Sequence, residues 1–280
     1  MWQKSYDDSP TLFLIPTPIG NMEDITFRAV NVLRSVDVIF SEDTRVTSVL
    51  LKYYDINKKL ISLHDHNEDT VKEKVLDYLK NGLSVGLVTD RGTPIISDPG
   101  YKTVKYVSKL GFNVVALPGP CAFVPALITS GINPMPFIFY GFLDNKDSKR
   151  KKELEGLKYN SNTIIFYEAP HRIYKTLNMM LDIFGDRDIS ISREISKKFE
   201  SVYRGNISNV LPDLENIKGE FVIVVSGYSL DSSIELSIFD NVNLLINNGI
   251  DKMNAIKMVA KERGISKGEV YSIYHKEGLK

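Results

Sequence analysis

The chain has 280 residues, 43% of them hydrophobic and 10% aromatic, a globular composition with enough apolar side chains for more than one core and unlike that of disordered, collagenous or coiled-coil proteins. Thirty-five Lys and Arg balance thirty-five Asp and Glu, which excludes a whole-molecule basic footprint and leaves only local patches for any contact with nucleic acid. A lone cysteine, Cys121, excludes an internal disulfide and a cysteine-based zinc site, so a reducing, cytoplasmic setting is expected.

The opening MWQKSYDDSP carries no apolar run of the secretory kind. From TLFLIP onward, short β-branched and aromatic runs alternate with segments of helical period. TLFLIP precedes a helix over 25–34, DVIF one over 44–53, and SVGLVTD one over 101–110, after which comes NVVALPG. That alternation predicts βαβ units on a mainly parallel sheet. The apolar stretch 114–143 contains Pro118, Pro120, Pro125, Pro134 and Pro136, which break a membrane-spanning helix and predict strand, loop, short helix and strand. No membrane partner is expected.

FIFYGFL, a lysine-rich segment over 146–158, TIIFYEAP, a helix over 171–184, DISISRE, ESVYRG and EFVIVVSG follow. Strands succeed one another here with little helix between them, which predicts a mixed, partly antiparallel sheet. The fold class is therefore α/β: a parallel-sheet domain over 11–118, a mixed-sheet domain over 119–230 with a cleft between them, and a helical appendage over 235–280. In the appendage, Ala260, Gly264 and Val270 have the spacing of a helix-turn-helix, in which Ala permits close approach, Gly turns and the later apolar residue closes a small core. Residues 251–280 hold seven Lys or Arg against four Asp or Glu. A helical hairpin that packs on the body or on a second subunit is the plainer reading.

The common nucleotide, hydrolase and zinc signatures are missing from the chain. Four Gly- and Pro-rich loops instead follow predicted strands: PTPIGN (16–21), SEDTR (41–45), TDRGTPIISDPG (89–100) and PGPCA (118–122). Ligands of open α/β sheets bind beyond the carboxyl ends of the strands, where such loops converge. Glu42, Asp43, Asp90 and Asp98 offer acceptors for ammonium or ribose hydroxyl groups, and little here would cradle a triphosphate.

These loops, with FYEAPHR, SREISKKFE and YRG, stand in the order and spacing of the small-subunit ribosomal RNA methyltransferase I family of the tetrapyrrole-methylase superfamily, which the chain resembles from about Leu12 to Tyr228. The resemblance implies two α/β domains, a homodimer, and transfer of a methyl group from S-adenosylmethionine to the 2'-hydroxyl of a cytidine in the decoding region of 16S rRNA, free or in the small subunit. It places cofactor contacts on Pro18, Asp90, Gly92, Thr93, Pro118, Gly119, Cys121 and Ala122. Arg91 stands where the family typically has Ala, and its side chain either points outward to phosphate or pairs with a carboxylate.

A ribose hydroxyl needs a base to take its proton. The candidates are Glu42, Asp43 and Glu168, with Arg45 positioning a carboxylate or a phosphate; helix caps and surface ion pairs are the alternative for each. No metal is required, and His64 and His66 lack a third well-spaced ligand. For RNA, Arg172, Arg193, Lys197, Lys198 and Arg204, and Lys261, Arg263 and Lys267 around the helix-turn-helix, supply the basic groups, while Lys149 to Lys152 read as a solvated face with room for some RNA contact. Cys121 reads as a small packing residue. A small-molecule tetrapyrrole or corrin methylase and a non-catalytic nucleic-acid-binding regulator are the competing functions.

Overall fold

A computed structural model describes residues 3–4, 7–214, 217–229, 237–247 and 249–277. The chain divides into two compact units, one of residues 1–156 and 162–226, the other of 157–161 and 227–280. Among the described residues no helix is long and apolar enough to cross a membrane.

The first unit begins with five strands, β1 (Thr11–Leu14), β2 (Val38–Ser41), β3 (Lys59–Ser62), β4 (Val85–Val88) and β5 (Asn113–Ala116), interleaved with helices α1 (Phe27–Ser35), α2 (Thr44–Tyr53), α3 (Glu68–Lys80) and α4 (Tyr101–Lys109). The strands pair in parallel in the order β3-β2-β4-β1-β5. Both faces are covered, as an all-parallel sheet requires. Leu12, Leu14, Val38, Phe40, Val85 and Leu87 point to the face packed by Val71, Val75 and Leu79 of α3 and Val107 of α4. Ile39 and Val88 point to the opposite face with Ala29 and Leu33 of α1 and Leu51 of α2.

The strand order fixes where a ligand belongs. β1 passes the chain across the sheet to β2, while its neighbour β4 passes it the other way to β5. Two adjacent strands whose connections diverge leave a crevice at their carboxyl ends. The β3–α3 pair is an addition to the predicted pattern: KLIS is a half-exposed edge strand with no buried residue, so it lacks the apolar run that marks its neighbours.

A short helix, α5 (Phe123–Thr129), leads into the second sheet, formed by β6 (Phe137–Phe142), β7 (Thr163–Glu168), β8 (Asp188–Arg193), β9 (Ser201–Asn206) and β10 (Phe221–Val225). Its order is β6-β7-β10-β8-β9, and only β6 and β7 run parallel. Ala126 and Leu127 of α5 pack on Ile165, Val222 and Val224. Helix α6 (Asp147–Leu157) joins β6 to β7, and α7 (Ile173–Phe184) joins β7 to β8. The mixed character expected for this half is what the sheet has.

The second unit carries α9 (Ile238–Asn247), α10 (Lys252–Arg263) and α11 (Lys267–Glu277); a four-residue helix, α8 (Ile207–Val210), precedes them in the chain. Asp251 caps α10 through the backbone N–H groups of Met253 and Asn254. Gly264 adopts φ +64° and ends the helix, a left-handed conformation that suits glycine. Ser266 and Glu269 then form a reciprocal capping box, each side chain accepting from the other's backbone N–H. Ala260 and Val270 are buried in one core with Val242 and Ile256, the packing that the helix-turn-helix spacing predicts. The boundary residues 230 and 235–236 of the expected domains fall outside the described residues.

Candidate functional site

The four loops meet. The loop after β1 and the loop after β4 are stitched by a two-way bridge, Thr17 N–H to the Gly92 carbonyl at 2.9 Å and Gly92 N–H to the Thr17 carbonyl at 3.0 Å. Gly92 has φ +85°, and a Cβ there would lie 3.2 Å from Ile19 Cγ2, so a larger residue would be strained and crowded. The loop after β2 joins through Asp43 N–H, which donates to Asp90 Oδ1 at 3.0 Å. The loop after β5 joins through Thr93, whose hydroxyl donates to the Pro120 carbonyl at 2.9 Å. Gly119 lies against Pro16, where a Cβ would stand 2.6 Å from the Pro16 Cβ.

Between these loops and the second sheet lies a half-open cavity of about 460 Å³, within the range that holds a cofactor-sized ligand. Its walls are mainly apolar: Ile19, Ile96, Ala122, Phe142, Tyr167 and Phe221 face it. The polar groups are Arg91, Thr93, Ser97 and Asp98 from the first sheet's side and Glu168 and Glu220 from the second. The expected cofactor residues Gly92, Thr93, Cys121 and Ala122 line it directly. Pro18, Asp90, Pro118 and Gly119 belong to the loops that frame it, and their side chains are not part of its wall.

Asp98 is the group that the motif-based choice of candidate bases left out. Burial pushes its carboxyl up to about 7, with the charges of Glu42, Asp90 and Asp65 adding to the rise and a hydrogen bond from Thr89 opposing it. The backbone leading to it is unusual: Ile95 and Ser97 have φ of +77° and +67°. A β-branched residue at such an angle is a steric outlier, kept only where the surroundings hold it, and such outliers cluster at functional sites. Here the Ile95 side chain is anchored in the first core. Gly100 allows it room, since a Cβ there would come within 3.2 Å of Ile95 Cγ1.

The other carboxylates are arranged differently. Glu42 accepts the Thr89 hydroxyl at 3.0 Å, acts on Asp98 through its charge and does not line the cavity. Asp43 caps α2 by accepting from Arg45 N–H and pairs with the Arg45 side chain at 2.9 Å; those hydrogen bonds hold its carboxyl at about 2. Arg45 is thus the partner of a carboxylate. Glu168 is buried, ion-paired with Arg172 at 3.0 Å, and accepts from Thr176 Oγ1 at 2.6 Å and Ala169 N–H at 2.8 Å. Burial, with Cys121 beside it, pushes the Tyr167 hydroxyl well above the usual tyrosine range.

Arg91 turns to a carboxylate. It pairs with Glu220 at the start of β10, and Lys197 holds the other Glu220 oxygen at 2.8 Å and Glu194 at 3.0 Å. Ser196 reaches Asp24 across the same edge. The cations expected to meet RNA divide into two sets. Arg172 is engaged internally, and Arg193 Nε and Arg204 Nε donate to the carbonyls of Lys218 and Thr129 at 2.6 and 2.8 Å. Lys198, Lys261, Arg263 and Lys267 are exposed, the last three around the turn between α10 and α11. His64 and His66 stack edge to face at 5.9 Å beyond β3.

Comparison with known proteins agrees with this architecture. The family model for Tetrapyrrole (Corrin/Porphyrin) Methylases matches residues 11–211. Among solved structures, a uroporphyrin-III-C-methyltransferase from Thermus thermophilus shares the fold, with a TM-score of 0.55 at 17% identity over 77% of this chain and 94% of its own. The ribosomal RNA small subunit methyltransferase I of Bacillus subtilis (strain 168) is 46% identical over 277 residues, 96% of this chain and 95% of its own. That of Streptococcus pyogenes serotype M3 (strain ATCC BAA-595 / MGAS315) is 44% identical over 282 residues, 98% of each chain. With likeness of that depth over nearly its whole length, and the family's fold carrying the cavity, the chain belongs to the ribosomal RNA small subunit methyltransferase I family of the tetrapyrrole methylases.

Proposed function

We propose that the protein transfers a methyl group from S-adenosylmethionine to the 2'-hydroxyl of a cytidine in the decoding region of 16S rRNA, and that Asp98 is the base for that reaction. One observation supports the chemistry above the others: a carboxyl raised to about 7, on the wall of an apolar cavity. The cavity suits the donor, since its apolar walls match a thioether stem and a flat base, and the close approach of Gly92 and Gly119 to neighbouring loops leaves backbone rather than side chains at its rim. S-adenosylmethionine, when bound, supplies a methyl group on a positively charged sulfur that keeps the bonding pair and leaves as a neutral thioether.

The remaining tasks belong to the chain. Asp98, ionised above about pH 7, accepts the proton that the ribose hydroxyl releases as its oxygen forms the new bond, a contribution of roughly two to four decades in rate. The Thr89 hydroxyl, which donates to Glu42 at 3.0 Å, is shared between that carboxylate and Asp98 and places the two side by side. Burial keeps the Asp98 carboxyl's pKa high, and the charge of Glu42 adds to the rise without needing to touch substrate. Thr93, Cys121 and Ala122 hold the donor, and the apolar wall excludes water. Glu168 positions Arg172 and the β7–α7 turn. Lys261, Arg263 and Lys267 bind phosphates from the second unit. The active form is a homodimer in the cytoplasm.

The test is methyl transfer by the purified protein from labelled S-adenosylmethionine to small ribosomal subunits, to free 16S rRNA and to a tetrapyrrole. Label in ribose of the RNA, and none in the tetrapyrrole, is expected; label in the tetrapyrrole alone, or no binding of S-adenosylmethionine in a calorimeter, contradicts the reading.

A further inference from the structure

A second cavity, of about 570 Å³, opens beside the first, and the two share Phe142 and Ala169. Its wall is the turn between β6 and α6, the first turn of α6, and the pair His171–Arg172. Arg172 builds this wall from inside. Its guanidinium pairs with Glu168, donates to the Leu143 carbonyl at 2.8 Å and the Asp144 carbonyl at 3.4 Å, and holds the Asn145 side chain. With Glu168 and Arg172 neutralising each other, the charge offered to the cavity comes from Lys146 and Lys149 against Asp144 alone, and the His171 ring adds a hydrogen-bonding group.

Those side chains are available. Lys149 Nζ is 3.5 Å from Asp144, a loose pair between partly exposed groups. The Lys146 side chain and the His171 ring are exposed and have no hydrogen bond or ion pair among the described residues. Asp144 is already occupied, accepting Lys146 N–H at 2.8 Å. At the boundary of the two cavities Phe142 is 52% exposed, braced edge-on by Tyr167 at 5.5 Å. A large exposed aromatic between an apolar pocket and a basic one has the layout of a site that receives one unstacked nucleotide: ring face for the base, cations for the phosphate.

We propose, resting on the methylation reading above, that this second cavity is the subsite for the target nucleotide: Phe142 stacks on the unstacked base, and Lys146, Lys149 and His171 take the adjoining phosphate of the substrate RNA. The ribose between base and phosphate then faces Asp98 in the neighbouring cavity. A nucleotide still stacked in a helix could not enter a concave site of this kind. Selection of a single-stranded or distorted RNA segment follows from the shape.

The experiment uses the full-length protein with small ribosomal subunits as the RNA probe, measuring kcat, the KM for RNA at several salt concentrations, and S-adenosylmethionine affinity. In a Lys146→Gln, Lys149→Gln double variant the KM for RNA should rise at least about tenfold, and its log–log salt slope should fall by about 0.7 for each phosphate left without its cation, with cofactor affinity unchanged. Phe142→Ala should raise that KM by about 5- to 150-fold, the range of one base-stacking interaction, and Phe142→Tyr should restore most of it. An unchanged KM and salt slope in the lysine variant while the wild type methylates RNA overturns the subsite and leaves the function standing. Equal loss of RNA and cofactor affinity in Phe142→Ala, unrelieved in Phe142→Tyr, also overturns it. A wild type that methylates no RNA overturns both.

Discussion

Asp98 illustrates how a residue acquires its chemistry from neighbours distant in sequence. Its own loop makes it an acceptor, but the rise to about 7 comes from burial and from the charges of Glu42, Asp90 and Asp65, two of which arrive from other loops. That is why the loop is legible in the sequence and the proposed base is not. The motifs alone point to Glu42, Asp43 and Glu168. In the folded chain Glu42 is held by Thr89 and does not line the cavity, Asp43 is tied to Arg45, and Glu168 is engaged by Arg172, Thr176 and the Ala169 N–H. Asp98→Asn should lower kcat by roughly two to four decades and abolish a rate limb that rises with pH through about 7, the value to which Asp98 is raised. Stability should move the other way. A carboxyl raised in the folded state stabilises fully below its unfolded value, and that contribution is lost as pH rises through about 7. Asp98→Asn should therefore raise Tm at pH 8 and change it little near pH 4; a lower Tm at pH 8 would contradict the assignment.

At the level of elements, the turn from β7 into α7 depends on a buried ion pair. Glu168 and Arg172 have side chains 1% and 11% exposed, and removing one partner of such a pair costs about 3–5 kcal/mol because the other charge is left uncompensated. Glu168→Gln should lose stability on that scale in denaturant unfolding, with the β6–α6 turn loosened through Arg172. A loss below about 1 kcal/mol would mean that the hydrogen bonds of Arg172 to carbonyls suffice. Between α10 and α11, Ser266→Ala removes a cap that accepts from Glu269 N–H and should cost about 1 kcal/mol. The elements were readable where burial imposes a period: the alternation that splits Leu12 and Leu14 from Ile15, and the Ala260, Gly264 and Val270 spacing. The edge strand β3 was not, since half-exposed residues carry no such pattern. Helix α3 has buried Val71, Val75 and Leu79 at regular spacing, a signal hidden by its charged surroundings.

Across the whole molecule, equal numbers of acidic and basic residues fit an enzyme in which Glu42, Asp65 and Asp90 act on Asp98 at the cavity and exposed cations such as Lys198, Lys261 and Lys267 lie elsewhere. Arg91, Glu220 and Lys197 tie the edge of the first sheet's loops to the second sheet, and both sheets belong to one compact unit while α9 to α11 belong to another. Truncation after Tyr228 should leave S-adenosylmethionine binding within about twofold of the full chain and weaken RNA binding about tenfold or more, as removal of several phosphate-binding cations would; equal losses would remove the helical region from RNA recognition. The most direct measurement is quantification of 2'-O-methylcytidine in 16S rRNA from cells lacking the gene, complemented with the wild type or with Asp98→Asn. The account predicts a ribose methyl that disappears on deletion, returns with the wild type and fails to return with the variant. A 2'-O-methylcytidine content that deletion leaves unchanged would contradict it.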